Sequence, residues 1–316
     1  MARWIFARLG AMALMMTLAA WSAATAVAKW QLHTTTRSSI AFNQGITFDQ
    51  ARGKFFFDGV SSTTTSGVYR TNSHLLVQAA RIFAIPKTVE GYNHAGDLSF
   101  DAGTQSLSAR RVLLPLECYY PSSGGNTCGS GAIGIVDPTT LRFRYYVNLD
   151  RSQIQKAMWA EISPDGRWIW TSSGTHLIAY RSADVNSATA ARQRAGTATG
   201  IVGKDLGPVL PSSSVTGASF YVDRHSAVPR LLLSLNLGAY FQVVSYGTNF
   251  SRGYPTLLSA TPRVEITVPK SLSDEEPEGL AVTGPSRGSY PLGGVLHWQM
   301  LPAIPLYSRI LNYTPN

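Results

Sequence analysis

The segment EGYNHAGDLSFD, residues 90–101, leads through a polar turn into the apolar run RVLLPLE at 111–117. In this unit a strand begins at a small or polar residue, a turn follows, and a second, more apolar strand comes after the turn. The unit recurs at intervals of roughly 50–60 residues, as blade-type repeats do. The first strands of these repeats are GITFD (45–49), GDLSFD (96–101), AEISPDG (160–166), TGASFYVD (216–223) and EGLAVTG (278–284).

Further strands complete each repeat. Third strands follow at GVYRTN, GAIGIVD, HLIAYRS, YFQVVSYG and SRILNYT, and fourth strands are expected at LLVQAARIFAI, RFRYYVNL, RVEITVP and, weakly, near GTATGIVG. The last repeat ends without a fourth strand, and KWQLHTT (29–35) supplies one from the N-terminal side. The sequence therefore predicts an all-β propeller of five four-stranded blades closed by an N-terminal strand.

Two other architectures fit part of this pattern. A six-bladed ring is the alternative blade count, and a pair of β-sandwiches explains the strands but not their recurrence. Two stretches predict helices outside the blades: RSQIQKAMWA (151–160), which Asp150 is placed to cap, and SADVNSATAARQR (182–194).

The first 28 residues have the three parts of a secretory signal peptide. Arg3 and Arg8 precede the apolar run LGAMALMMTLAAW, and small residues follow at ATAVA. A single membrane anchor is the alternative, but the run is shorter than the roughly 20 residues that span a bilayer. We expect 1–28 to be a signal peptide, 29–316 to form one domain, and the mature protein to be secreted, extracellular or periplasmic, without stable membrane insertion.

The charge distribution argues against a nucleic-acid partner. The net charge of +9 falls to +7 when Arg3 and Arg8 leave with the signal, and the remaining basic residues are scattered rather than clustered on one segment. We expect a monomer that binds a small molecule or a glycan.

Two cysteines, Cys118 and Cys128, flank a loop rich in glycine, serine and proline. In an oxidising compartment such a pair predicts one disulfide that holds this loop; two free thiols are the alternative.

Polar residues at the starts of the first strands are the candidate functional residues, because these strands line the axis of a propeller. Alignment of the repeats gives one ring of Gln44, Gly96, Ala160, Thr216 and Glu278, and a second of Gly45, Asp97, Glu161, Gly217 and Gly279. Three converging carboxylates, Asp97, Glu161 and Glu278, would repel one another, and a calcium ion relieves that repulsion. Thr216 and Gln44 would supply neutral oxygen ligands. The alternative is that each acid caps a turn or pairs with an arginine.

His94 is the candidate base. With Asp97 three residues further on, it is placed for general acid–base catalysis near neutral pH, and its alternative role is to stabilise the turn. Glu117 either faces the same channel mouth or pairs with Arg110 or Arg111.

The strand entry EGLAV (278–282) resembles that of gluconolactonase-like and strictosidine-synthase-like propellers, in which the resemblance implies that Glu278 binds calcium. The segment TGASFYVDRHSAVPRLLLSL (216–235) resembles the fourth blade of calcium-activated nucleotidases and would place Thr216 near the metal. The glutamate–tryptophan strands of those nucleotidases are absent, and WAEIS has the pair reversed. The block EGYNHAGD…LLPLECYYP resembles a secreted propeller family of uncharacterised activity.

These observations predict a metal-dependent hydrolase of an ester, lactone or phosphoester, with His94 and Asp97 as catalytic residues. The alternative function is a non-enzymatic module that recognises a glycan or a protein through its blade-top loops. Tyr119 and Tyr120 would then be stacking platforms, whereas Trp159 is expected to pack in the core.

Overall fold

The computed structural model describes most of the chain beyond the predicted signal peptide, which lies outside the described residues. The described ranges are 30–62, 65–86, 91–103, 110–120, 125–126, 128–222, 227–251, 253–270, 275–284, 289–301 and 306–316.

Five antiparallel sheets follow one another along the chain, and the predicted all-β propeller with five four-stranded blades is confirmed. The second strands of the blades are buried on both faces, because each lies in the middle of a sheet that packs between two other blades. Arg111–Glu117 (RVLLPLE) and Pro229–Asn236 (PRLLLSLN) show this burial. Two-sided burial explains why these strands are continuous apolar runs instead of alternating ones.

The first three blades follow in chain order. Blade 1 consists of β2 (Gly45–Asp49), β3 (Lys54–Ser62), β4 (Thr65–Asn72) and β5 (Val77–Arg81). Blade 2 consists of β6 (His94–Ala95), β7 (Ser99–Asp101), β8 (Arg111–Glu117), β11 (Ala132–Val136) and β12 (Phe143–Asn148), with the hairpin β9 (Tyr119–Tyr120) and β10 (Gly125–Asn126) as an excursion. Blade 3 consists of β13 (Glu161–Ile162), β14 (Trp168–Ser173), β15 (His176–Arg181) and β16 (Lys204–Pro208).

The last two blades close the ring. Blade 4 consists of β17 (Val215–Val222), β18 (Pro229–Asn236), β19 (Tyr240–Asn249), β20 (Thr256–Leu257) and β21 (Arg263–Pro269). Blade 5 consists of β22 (Glu276–Val282), β23 (Leu296–Leu301), β24 (Ser308–Pro315) and the N-terminal strand β1 (Trp30–Ser38). The pairing of β1 with β24 brings Trp30 opposite Pro315, which confirms the predicted closing strand.

Helices are few. The helix predicted over 182–194 is present as a short 3-10 turn, Ser182–Asp184, and helix α1, Ser187–Arg194. The side chain of Asn186 caps α1 by accepting the amide of Thr189. The other predicted helix, over 151–160, is wrong: Asp150 accepts the amide of Ser152 and fixes a turn there. The outer strand of blade 3 also begins later than predicted, at Lys204.

The predicted disulfide between Cys118 and Cys128 is present, with the two Cα atoms 5.2 Å apart. It lies at the end of β8, next to the excursion that carries Tyr119 and Tyr120. Within the described residues, no helix has the length and apolar character needed to cross a bilayer.

Candidate functional site

Asp97 of blade 2 lies on the propeller axis and forms hydrogen bonds with each of the four remaining blades. The amide of Ile46 in blade 1 donates to Oδ1 over 3.0 Å. The amides of Ala218 in blade 4 and Leu280 in blade 5 donate to Oδ2 over 2.9 and 3.2 Å. The main-chain carbonyl of Asp97 accepts the amide of Ala160 in blade 3 over 3.1 Å. Burial raises the pKa of the Asp97 carboxyl well above its usual value, although these amide donors oppose the rise.

Three glycines make room for this carboxyl. A Cβ atom on Gly217 would lie 2.8 Å from Asp97 Oδ2, and one on Gly279 would lie 2.7 Å from Oδ1. A Cβ on Gly45 would lie 2.8 Å from the Cα of Asp97. Glycine is required here because main chains and the carboxyl approach each other too closely for any side chain. The axis is therefore filled at the level of Asp97.

The structure corrects the alignment of blade 3. Asp97 pairs in parallel with Trp159, so Trp159 occupies the position that the sequence alignment gave to Glu161. Met158 correspondingly replaces Ala160 in the outermost ring, and its carbonyl accepts the amide of Asp97 over 3.0 Å. Glu161 lies two residues deeper along the axis than Asp97.

At that deeper level, side-chain oxygens join neighbouring inner strands. Each of four side chains accepts an amide of the next blade over 3.0–3.1 Å: Thr47 from Phe100, Ser99 from Ile162, Glu161 from Phe220 and Ser219 from Val282. Glu161 performs the same bridging as the three hydroxyls. Burial raises its pKa to about 8, and the hydrogen bonds from Ser99 and from the amides of Phe220 and Ile162 oppose the rise.

His94 and Glu117 form a pair at the mouth of the axis, where the inner strands begin. His94 Nδ1 lies 2.7 Å from Glu117 Oε1, and the two side chains are 15% and 9% exposed. Of the alternatives for Glu117, the pairing with arginine is not found: Arg110 pairs with Asp49, and Arg111 with Asp101. The nearby Gly91 has a φ of +79°, the left-handed conformation that the turn requires.

Glu278 is a buried acid that has several other carboxyl groups near it. It is 9% exposed, and burial raises its pKa well above the usual value. The carboxyl groups of Glu276, Asp58, Asp97 and Glu117 raise the pKa further by repulsion. Both effects favour the protonated form of Glu278.

Asp58 was not identified from the sequence. It lies on β3 opposite Gly45 and is fully buried. Among the described residues, neither of its carboxyl oxygens has a partner with hydrogen-bond geometry. Burial raises its pKa well above the usual value, and the nearby amide of Gly45 offsets part of that rise. The only sequence signal was an acid inside the apolar strand KFFFDGV.

The two neutral residues of the predicted calcium set lie beside these acids. The hydroxyl of Thr216 lies 3.0 Å from that of Ser234 and 3.3 Å from the carbonyl oxygen of Glu278. The main-chain N–H of Gln44 donates to the main-chain carbonyl of Asp58 over 3.3 Å. The structure therefore brings Asp97, Glu278, Thr216 and Gln44 to one end of the axis and places Glu161 deeper.

This arrangement does not fit the predicted calcium ion as it stands. Both oxygens of Asp97 are aimed at N–H groups, whose positive ends occupy the positions a cation would need. Glu161 is bonded to the amide of Phe220 at a different depth. In the part of the chain that the structure describes, no group of three or more His, Cys, Asp or Glu side chains has the geometry of a metal site.

The aromatic residues of the predicted binding module differ in position. Trp159 is fully buried and donates its indole N–H to the hydroxyl of Ser172 over 2.8 Å, so its expected core role is confirmed. The side chains of Tyr119 and Tyr120 lie outside the described part of the chain.

Comparison with known proteins identifies the scaffold. No protein-family model and no curated protein matches the chain. Among solved structures, glutaminyl cyclase from Myxococcus xanthus matches with a TM-score of 0.50 and 11% identity over 90% of this chain and 95% of that chain. The GH43 endo-arabinanase from Bacillus licheniformis (TM-score 0.49, 14% identity, 87% and 94% coverage) and a glucose dehydrogenase (0.38, 12%, 83% and 77%) are further matches. At these identities the likeness concerns the fold alone, and this chain has the β-propeller scaffold.

Proposed function

We propose that the chain is a hydrolase that cleaves an ester, lactone or phosphoester bond of a small molecule at the mouth of the propeller axis. The observation that carries this proposal is a buried Glu278, whose pKa burial and neighbouring carboxyl groups raise, at the same end of the axis as the His94–Glu117 pair. A pair of titratable groups with environments this different is what acid–base chemistry needs.

The roles follow from the contacts. His94 Nδ1 lies 2.7 Å from Glu117 Oε1, and we assign Nε2 as the atom that accepts a proton. Glu117 also raises the pKa of Glu278, and both the pair and the acid lie where the inner strands begin, so we assign them to one substrate site. Thr216, partly exposed beside Glu278, is placed to bind a polar group of that substrate.

The proposed reaction balances without a further reactant. A water molecule gives a proton to His94 as its oxygen forms a bond to the acyl carbon or phosphorus. The bond to the leaving oxygen breaks, and Glu278 donates its proton to that oxygen. The proton on His94 then returns to solvent or to Glu278. Each of these steps is carried by the chain's own side chains.

The test is turnover of a panel of chromogenic esters, lactones and phosphoesters by the wild type and by Glu278→Gln. We expect Glu278→Gln and His94→Ala to lower kcat by about 100-fold or more, the usual contribution of one acid or base. The rate of the wild type should fall as the pH rises through the raised pKa of Glu278, because the acid then lacks its proton.

Glu161→Gln is the matched control, since it makes the same change in another buried glutamate of the axis. It should leave kcat within a small factor of the wild type. Full activity in Glu278→Gln, or no turnover of any substrate in the panel by the wild type, would contradict the proposal.

A further inference from the structure

A cavity lies at the opposite end of the inner strands from the mouth. His94 and Asp101 mark the two ends of the inner strand of blade 2, seven residues apart, which is roughly 20 Å of strand. The cavity has a volume of about 660 Å³ and lies between blades 2 and 3. Its lining includes Arg111, Arg144, Arg167, Arg181, Trp168 and Ser187, and we call it the arginine cavity.

The arginines of this cavity are not equivalent. Arg111 is 12% exposed, and its guanidinium donates to Asp101 over 2.9 Å and to the hydroxyl of Ser182 over 2.7 Å. These bonds consume its donors, so Arg111 holds the segment that precedes helix α1 in place. Its contribution to the cavity is structural.

The other three guanidinium groups are more exposed. Arg144 pairs with Asp137, and Arg167 pairs with Asp165 over 2.6 Å. Arg181 has no carboxylate partner among the described residues; its guanidinium lies over the ring of Tyr254 at 5.4 Å. One positive charge in the wall is therefore uncompensated.

Helix α1 adds to this positive potential. Its capping residue Asn186 and first residue Ser187 line the cavity, and its first turn contains no acidic residue. The N-terminus of a helix carries a partial positive charge and attracts anions.

Aromatic residues lie at one side of the cavity. Trp168 contributes to the lining although it is only 4% exposed. The half-exposed ring of Tyr254 packs against Trp168 with centroids 5.3 Å apart and planes tilted by 40°, and Arg181 lies over Tyr254. The volume lies within the range of small-molecule sites.

We propose that the arginine cavity binds an organic phosphate whose body carries a planar ring. Guanidinium groups match the geometry of phosphate oxygens, and the helix N-terminus adds a complementary dipole. The ring would pack beside the half-exposed Tyr254, on the side of the cavity where Trp168 lies, with the phosphate near Arg181. This site is separate from the proposed hydrolytic site at the mouth.

Isothermal titration calorimetry at fixed ionic strength tests the proposal with adenosine monophosphate as the probe, and with adenosine, inorganic phosphate and benzoate for comparison. We expect saturable binding of adenosine monophosphate and weaker binding of the other three. Arg181→Gln should raise the Kd by about tenfold or more, as the loss of one charge-assisted hydrogen bond does. Because Arg181 is exposed, this variant should keep the melting temperature of the wild type.

Arg194→Gln is the control, because it removes the same charge from the exposed far end of α1, outside the cavity. An equal loss of affinity in Arg194→Gln would show general charge attraction and overturn the proposal. Absence of binding by adenosine monophosphate would also overturn it. If benzoate binds as tightly as adenosine monophosphate, a carboxylate serves as well as a phosphate, and the phosphate assignment is wrong.

Discussion

Asp97 and Glu278 are both buried acids at the starts of inner strands, yet their surroundings are opposite. Asp97 is enclosed by amide donors from three blades, and three glycines clear the space that it fills. Glu278 instead is close to other carboxyl groups, which raise its pKa along with burial. The difference separates an acid that is bonded into the fold from the acid that we propose transfers a proton.

The largest effect on stability should come from Asp97→Asn. The amide group would place an N–H donor against amide N–H donors, so one or two buried bonds are lost and the remaining donors repel. We expect the free energy of unfolding to fall by about 3 kcal/mol or more, measured by urea denaturation.

Glu278→Gln provides the contrast in the same measurement. Removal of an acid that is repelled by its neighbours should leave the stability at pH 8 unchanged or higher. Equal destabilisation by the two variants would remove the distinction between the two acids.

The next largest loss of stability should come from filling the space around Asp97. A Cβ on Gly279 would lie 2.5 Å from the amide nitrogen of Ile46, so Gly279→Ala must displace main chain. We expect a loss of about 1–3 kcal/mol in the free energy of unfolding. Gly129→Ala is the control, since a Cβ at Gly129 meets no atom within 4 Å. If both substitutions are tolerated equally, the axis is less tightly filled than described.

The pH dependence of stability tests Glu161, the bridging acid below Asp97. Its pKa rises from 4.5 to about 8 on folding. Between these values the unfolded chain has released the proton that the folded chain keeps, so the free energy of unfolding falls as the pH rises. Urea denaturation at pH 5 and pH 8 should show a smaller fall in Glu161→Gln than in the wild type. An identical fall in both would mean that Glu161 titrates normally.

The smallest effect should be that of a chelator. The sequence predicted calcium binding by Asp97, Glu161, Glu278, Thr216 and Gln44, and this experiment tests that prediction. Since the oxygens of Asp97 already accept amide hydrogens, we expect EDTA to leave the melting temperature unchanged. A fall in the melting temperature that added calcium restores would show instead that the mouth binds the ion, and Asp58 would then be the first residue to substitute.

The sequence predicted the blades well, because the repeated turn–strand units carry their own signal in residues such as Gly45 and Gly279. It also predicted the closing strand and the disulfide. The predicted alignment of blade 3 was wrong for a physical reason. Where blades 1, 4 and 5 have a glycine, blade 3 has Trp159, and matching the apolar residues shifted its strand by two positions.

The candidate site was harder to predict from the sequence than the blades were. The alternation of strand side chains left open which of the two aligned rings faces the axis, and the sequence could not show whether a cation or amide groups surround Asp97. Asp58 was missed because it lies on a second strand, and only the folded sheet places it opposite Gly45. The partner of Glu117 depended on the same three-dimensional packing.

The pairing of β1 with β24 has a consequence for how the molecule forms. The strand that is synthesised first among the described residues finds its place only after the strand that is synthesised last, because Trp30 lies opposite Pro315. A contact that spans nearly the whole described chain costs more loop entropy than any contact within a blade. Ring closure should therefore be the late, slow event of folding, and a complete chain whose ring has not yet closed would expose the edge of β24 to other molecules.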